Sequence, residues 1–363
     1  MRRQEFHASE SLGRKLFAEL EVLQLAGVSA ENQPILKTLN GVVDEGWICF
    51  HGSPAGEKTS LIGRPVVASV EETVARLPSY FMDPEKACPA TTLYRGAQVH
   101  GVLQAIDEPV RKARVLQRLM EKLQPEGGYV PLDAESPMYR AQVKGLMIAG
   151  LPLAGITTKA KLAQNRTPAQ RSTLLEKLWA RGGAGDVRAL ELIREANPGT
   201  PVAPFLESPG GTTMHAWLAN EEAGAAADLL AGEYWNDVFT RDELISSHVG
   251  STAWIGVKDE AGTLIGTARA IADGAKCCWI YDVCVRKDWR GRGVGRAMMR
   301  LLLDHPSVRR CRVLRLGTRD AQSLYAGFGF VPLNELPPRP YATTEMLLRR
   351  PPPSPCGAGR GPG

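Results

Sequence analysis

The chain of 363 residues contains no run of about 18 consecutive apolar residues, which excludes a helix crossing a bilayer. No apolar stretch follows the two arginines of the opening MRRQEFHASESLGRKL, so no secretory signal is expected there. The seven cysteines, at 49, 88, 277, 278, 284, 311 and 356, are an odd number. They have neither the paired spacing of a metal site nor the density of a disulfide scaffold. Several stand inside apolar runs, Cys49 in WICF and Cys284 in DVCV, and read as reduced core residues of a cytoplasmic protein. Cys277–Cys278 is the pair to watch. Internal repeats are absent. So are a helix-turn-helix and a concentrated basic helix, which weighs against nucleic acid as a partner.

What is present suits two ordinary soluble domains. The length exceeds one compact core, and 44% hydrophobic with 23% charged residues is a globular composition. The formal net charge of +5 is mild and partly made by arginines near Arg290–Arg300 and Arg309–Arg319. Such clusters attract an anionic cofactor or a nucleic-acid backbone, or are plain solvated surface. The Pro/Gly-rich stretch Asn197–Gly211, NPGTPVAPFLESPGG, reads as a linker. The expected boundaries are a domain over 1–200, a linker over 201–211, a second domain over 212–349, and a tail over 350–363. The tail, PPPSPCGAGRGPG from Pro351, cannot bury enough surface to offset chain entropy and is expected to be disordered.

Before the linker, short strands prevail: Leu20–Val28, Pro34–Leu39, Gly46–His51, Val66–Val74, Leu93–Ile106 and Val143–Ile156. Helical periodicity marks Ser9–Leu20, Glu108–Leu123, Pro168–Ala180 and Asp186–Ala196. Many strands with few helices predict a barrel with helical appendages. After the linker the pattern is mixed α/β. A helix over Ala223–Tyr234 precedes strands Thr252–Val257, Leu264–Ile271 and Cys278–Val285. A Gly-rich turn, helix Val294–Asp304, strand Arg312–Gly317 and helix Ala321–Phe328 follow.

The most informative segment is Trp279–Leu303, WIYDVCVRKDWRGRGVGRAMMRLLL. A strand feeds a turn holding Arg290, Gly291, Arg292, Gly293, Val294, Gly295 and Arg296, and a helix begins at once. Glycines let backbone N–H groups converge on one point, and the helix N-terminus adds partial positive charge. That is a nest for a pyrophosphate, with Arg290, Arg292 and Arg296 adding charge. Arg290-x-x-Gly293-x-Gly295 after a strand resembles the coenzyme A loop of the GNAT superfamily of N-acetyltransferases. Downstream, TRDAQSLYAGFGF from Thr318 to Phe330 resembles that family's second half-motif.

The resemblance implies an α/β domain with a mixed central sheet that uses acetyl-CoA as acyl donor. The amine acceptor then attacks the thioester directly, without a covalent enzyme intermediate. Splayed backbone at Val283, Cys284 and Val285 would hold the pantetheine arm, and Tyr325 would be the general acid for the departing thiolate. On its helix, Ala321, Leu324 and Phe328 are expected to share the core face, with Tyr325 toward one flank. Thr318 stands where the family often has Asn, which puts that pantetheine contact in doubt. Asp282, a carboxylate in a largely apolar strand, is the candidate base or ammonium acceptor, or else bonds a neighbouring loop. Glu233 and Tyr234 are further candidates. Glu221, Glu222, Glu233, Asp237, Asp242 and Glu243 would suit a cationic amine, or form a solvated face.

GWICFHGSPAGEKTS, Gly46–Ser60, looks like a strand–turn–helix of the pyridoxamine 5′-phosphate oxidase-like split barrels. Thr91–Gly101, TTLYRGAQVHG, resembles their next barrel strand. Lys161–Arg171, KLAQNRTPAQR, resembles a segment of the FMN-binding negative transcriptional regulators of that superfamily. The resemblance implies FMN, with Lys58 on its phosphate, His51 and Ser53 lining the turn, and Thr92 and Arg95 as further donors. It also implies a homodimer through the barrel. Relatives bind deazaflavin or haem, and some have lost their cofactor. Three functions follow: an acetyltransferase for a small amine joined to a flavin-dependent oxidoreductase; a ligand-sensing, regulator-like barrel joined to a polyamine-type acetyltransferase; or an acyltransferase with a cofactor-free structural barrel.

Overall fold

The computed structural model describes residues 3–337 together with 346 and 348. These fall into two compact units, one of residues up to 178 with 183–201, the other of 179–182 with those from 202 onward. Within 201–211, Ala203 and Leu206 are buried and Pro204–Leu206 makes one 3-10 turn. The segment 350–363 and Cys356 lie outside the described residues.

The N-terminal unit is built of β1 (His7–Ala8), α1 (Glu10–Glu19), β2 (Val22–Val28), β3 (Pro34–Asn40), β4 (Val42–Asp44), β5 (Trp47–Gly52), β6 (Pro65–Leu77), β7 (Thr91–Val102), β8 (Gln104–Ala105), α2 (Pro109–Leu123), α3 (Arg140–Gly145), β9 (Met147–Pro152), β10 (Thr157–Lys161), α4 (Pro168–Arg181) and α5 (Asp186–Ala196). Its strands form two antiparallel sheets, ordered β1-β10-β7-β6-β2-β3 and β4-β5-β9-β8. Period-two alternation sends Leu23, Leu25, Val66, Ala68, Val70, Ala97 and Val99 of the first sheet inward. They meet Ile48, Phe50, Ala149 and Leu151 of the second in one core. Each of the valine, leucine, isoleucine and phenylalanine side chains among them contributes roughly 1.5–3 kcal/mol of burial. The opposite face of β5 packs Cys49 beneath α2. Helix starts follow local chemistry: the Ser9 hydroxyl accepts from Leu12 N–H at 3.2 Å, and Glu108 caps α2 ahead of Pro109.

Val143–Ile156 is not one strand. Val143 belongs to α3, and β9 ends at Pro152 before β10 begins at Thr157. A continuous apolar run is buried equally well as helix or strand, so periodicity does not separate them. The cysteines also divide: Cys49, Cys278, Cys284 and Cys311 are buried, whereas Cys88 and Cys277 are exposed. Strand alternation puts Cys277 and Cys278 on opposite faces of their strand.

The C-terminal unit holds β11 (Thr212–His215), α6 (Ala223–Leu229), α7 (Arg241–Val249), β12 (Ala253–Asp259), β13 (Leu264–Ala272), β14 (Cys277–Val285), α8 (Val294–Asp304), β15 (Val313–Arg315) and α9 (Gln322–Ala326). Its sheet runs β11-β12-β13-β14-β15, antiparallel except for the parallel β14–β15 pair. α8 presents Val294, Ala297, Met298, Leu301 and Leu302 to the sheet. It sits so close to β13 that a Cβ on Gly266 would come within 2.7 Å of the Met298 sulfur. α6 and α7 cover the other face, packing against Trp254, Leu264 and Cys284.

The helix expected over Ala223–Tyr234 ends at Leu229, and a turn through Gly232 at φ +77° replaces its last part. α7 was not expected; a capping box between Thr240 and Glu243 starts it. β15 and α9 are shorter than expected, α9 giving way to Gly327 and to Gly329 at φ +85°.

Candidate functional site

Two features shape the C-terminal end of β14. Its pairing with β15 stops at Trp279↔Arg315, so the two strands part beyond Trp279. On the β13 side, Thr267↔Cys284 and Arg269↔Tyr281 are paired with a register shift between them, which places one extra residue in β14. Asp282 sits in that bulge at φ +53°. A non-glycine residue there is strained and needs fixed partners.

Asp282 has them. One oxygen accepts from Trp235 Nε1 at 3.1 Å and Asn236 Nδ2 at 3.0 Å, the other from Arg269 Nε at 2.5 Å. A buried carboxylate with this donor set clamps the bulge. Trp235, Asn236 and Arg269 escaped the sequence reading because their link to Asp282 exists only across elements.

After β14 a 3-10 turn, Lys287–Trp289, leads into the glycine turn. Gly291 at φ +76° and Gly293 at φ +84° turn the backbone, and Gly293 is the N-cap of α8 without any side-chain cap. Val294, Gly295 and Arg296 therefore open a helix whose first N–H groups have no carbonyl within it. A Cβ on Gly291 would meet nothing within 4 Å, and one on Gly293 only the Pro209 ring at 3.7 Å. The backbone there is open to an anion. The arginines are less available than their spacing suggests. Arg290 donates to the Glu233 carboxylate at 2.7 Å and to the Val285 carbonyl at 2.8 Å. Arg292 lies over the Trp289 ring at 4.8 Å, and Arg296 over Phe328 at 5.9 Å.

A cleft of about 430 Å³ adjoins the turn, lined by Leu229, Glu233, Cys284, Val285 and Arg290 among others. Burial pushes the Cys284 thiol up to about 11, and the nearby Glu233 carboxylate adds to the rise. It stays a thiol and is no nucleophile. Val283 is half-buried beside it.

Tyr325 is the buried residue of α9, while Ala321, Leu324 and Phe328 are half-buried. The expected order of core and flank is reversed, because α9 is too short to lay a full helical face on the sheet. Burial first, then Tyr234 and Asp320, raise the Tyr325 hydroxyl above its ordinary range. It is held protonated, as a general acid must be. Tyr234 accepts from the Arg319 N–H at 3.0 Å. The Thr318 hydroxyl accepts from Ala321 N–H at 3.0 Å, a capping role.

The acidic residues thought to suit a cationic amine are in good part neutralised. Glu222 pairs with Lys258 at 2.5 Å, Glu233 with Arg290, and Glu243 closes the capping box.

In the N-terminal unit His51 and Gly52 end β5, and the Lys58 side chain lies over Gly52: a Cβ there would come within 1.9 Å of Lys58 Cε. Lys58 is near enough to act on the His51 imidazole. The Ser53 hydroxyl accepts from Ala55 N–H at 3.2 Å. Thr92 and Arg95 do not join this group. The end of β6 next to the Lys58 turn pairs Val66 with Gly101, whereas Arg95 pairs with Glu72 and Thr92 with Arg76. That is roughly 20–30 Å along the strand. Arg95 is moreover bound to Glu72 through Nε at 2.9 Å and Nη2 at 2.7 Å, and Arg188 of α5 meets the same carboxylate at 2.6 Å. Burial opposes ionisation of Glu72, but the two arginines outweigh it and hold the carboxyl below its usual range. Lys58 and His51 thus lie together at the end of β5, whereas Thr92 and Arg95 lie apart from them along β7. The segment Lys161–Arg171 is likewise internally satisfied: Gln164 spans Leu162 N–H and the Ala160 carbonyl, and buried Arg171 donates to Thr200 and Arg166.

Residues 215–330 match the acetyltransferase (GNAT) family model, and residues 14–160 match the pyridoxamine 5′-phosphate oxidase model. Among solved structures, the flavocytochrome Anf3 from Azotobacter vinelandii is similar at 15% identity, covering 42% of this chain and 67% of its own, with a TM-score of 0.36. The FAD and heme binding protein from Mycobacterium smegmatis is similar at 17% identity, over 43% and 72%, with a TM-score of 0.36. A putative GNAT acetyltransferase from Xanthomonas campestris pv. campestris is similar at 26% identity, over 37% and 96%, with a TM-score of 0.31. No curated protein matches the chain.

Proposed function

We propose that this chain, a GNAT-family domain joined to a pyridoxamine 5′-phosphate oxidase-family domain, transfers an acetyl group from acetyl-CoA to a small amine. The observation that carries the reading is the parting of β14 and β15 beyond Trp279, followed along the chain by the uncapped glycine turn that opens α8. The parted strands leave backbone groups for the pantetheine arm, and the first turn of α8 offers N–H groups and partial positive charge to the pyrophosphate. The amine nitrogen, entering uncharged, forms its bond to the thioester carbonyl carbon. The C–S bond then breaks with its electron pair leaving on sulfur. Tyr325 supplies a proton to that thiolate, and the proton shed by nitrogen leaves to solvent or base.

Tyr325→Phe is expected to lower kcat by about 100-fold while acetyl-CoA affinity by calorimetry stays nearly constant. Normal turnover with lost affinity would remove Tyr325 from the role of acid.

For the barrel, flavin binding at His51, Ser53 and Lys58 and a homodimer are the accompanying reading. A bound flavin would supply hydride or electron chemistry. The engagement of Arg95 by Glu72 and Arg188 favours a second reading beside it, a barrel that serves structure alone.

A further inference from the structure

Paired strand residues stand side by side on one sheet face, so Thr267 and Cys284, Arg269 and Tyr281, and Ile271 and Trp279 share a face. Trp279 and Arg315 extend it onto β15. α6 and α7 cover the Thr267–Cys284 end. Among the described residues the other end is partly exposed: Ile271 is 43% exposed, Trp279 40%, Tyr281 39% and Val313 45%. The two rings lie nearly parallel, 17° apart with centroids at 6.0 Å. Arg269 sits 4.9 Å from the Tyr281 centroid and Arg315 5.8 Å from that of Trp279. This aromatic step ends one residue before the Asp282 bulge. On the far side of the bulge clamp, Trp235 and Tyr234 stack edge to face at 4.9 Å, and Arg319 covers Tyr234 at 3.7 Å. An exposed apolar patch of this kind next to a reaction centre marks a ligand surface.

We propose that this face is the acceptor platform and that the acceptor is an arylalkylamine, a primary amine carried on a short chain from a planar aromatic ring. The inference rests on the acyltransferase reading above and names its substrate class. Near-parallel exposed rings take a flat ring by offset stacking. A polyamine would need free carboxylates along its path, and Asp282, Glu233 and Glu222 are already paired with Arg269, Arg290 and Lys258. The ring rests on the Tyr281 end of this step, and the amine end points toward Val283, two strand residues or roughly 7 Å further along β14, where the thioester carbonyl is expected.

The full-length protein saturated with acetyl-CoA is given 2-phenylethylamine, tryptamine, hexylamine or spermidine, and the acetylated product is measured by mass spectrometry. The expected result is a kcat/KM at least about tenfold higher for the arylalkylamines than for hexylamine or spermidine, the scale of one aromatic contact. Tyr281→Ala should bring that ratio toward one, and Tyr281→Phe should keep it. A preference for spermidine or hexylamine, or a ratio untouched by Tyr281→Ala in a folded protein, overturns the proposal. So does a Tyr281→Ala variant whose sedimentation changes while the ratio does not, which would make the face a contact with a second copy. Acetyl-CoA bound and hexylamine acetylated without aryl preference sinks the substrate class alone. No acetyl-CoA binding by calorimetry sinks the acyltransferase reading and this inference with it.

Discussion

At the scale of single residues, Asp282 and Gly293 illustrate opposite uses of positive φ. Gly293 takes it without strain, because it has no Cβ to clash, and thereby leaves the first turn of α8 open. A side chain there costs about 1–2 kcal/mol of backbone strain and closes the approach to the N–H groups. Gly293→Ala is expected to raise the acetyl-CoA dissociation constant at least about tenfold, read by calorimetry; unchanged affinity would move the pyrophosphate elsewhere. Asp282 takes the same region at a cost, met by three donors. Asp282→Asn turns an acceptor into a donor facing Trp235, Asn236 or Arg269. The expected loss is about 3 kcal/mol of stability in denaturant titrations. A catalytic base would instead show lost turnover at unchanged stability.

At the scale of elements, α8 begins bare and ends on a histidine. His305 is its C-cap and is buried, and its Nδ1 accepts from Ser307 N–H at 3.2 Å. Burial, with Arg309 adding repulsion, pulls its pKa down to about 4 from 6.5. Between those values the unfolded chain binds the proton and the folded one does not, so stability rises with pH across the window. It is complete above pH 6.5 and falls on acidification toward pH 4, by about 3 kcal/mol. Denaturation midpoints of the protein and of His305→Gln over that range should converge as pH falls. Parallel curves would show that His305 is protonated in both states. This helix was legible beforehand: Val294–Asp304 carries its apolar period openly and forms over the expected residues. The helix over Ala223–Tyr234 failed at Gly232, where a turn prevailed over helical propensity. α7 passed unseen because its start is a polar capping box rather than an apolar stripe.

For the whole molecule, each unit buries its own core, and the chemistry of each is testable in the intact chain. Lys58→Ala is expected to weaken binding of added FMN at least about tenfold, the scale of one charge-assisted contact, read from flavin absorbance after gel filtration. Arg95→Ala should instead lower the melting temperature of the barrel, since it removes half of the clamp on Glu72. Flavin loss in Arg95→Ala at an unchanged melting temperature would return Arg95 to the phosphate. If both sites are loaded, joining them in one chain raises the effective concentration of one product at the other site.

Local chemistry alone determined the strand-rich and mixed halves, the glycine turn and the helix after it. These are properties of neighbours in the chain: period-two and helical apolar spacing, and glycines where φ must be positive. Tertiary structure decided which charged side chains remain available. Arg95 and Glu72 are 23 positions apart and Asp282 and Trp235 are 47 apart, so no local spacing announces that they are joined. A buried charge takes whichever partner the fold brings within reach. That choice gave Asp282 and Arg95 fixed partners and, among the described residues, left an aromatic face exposed beside the parted strands.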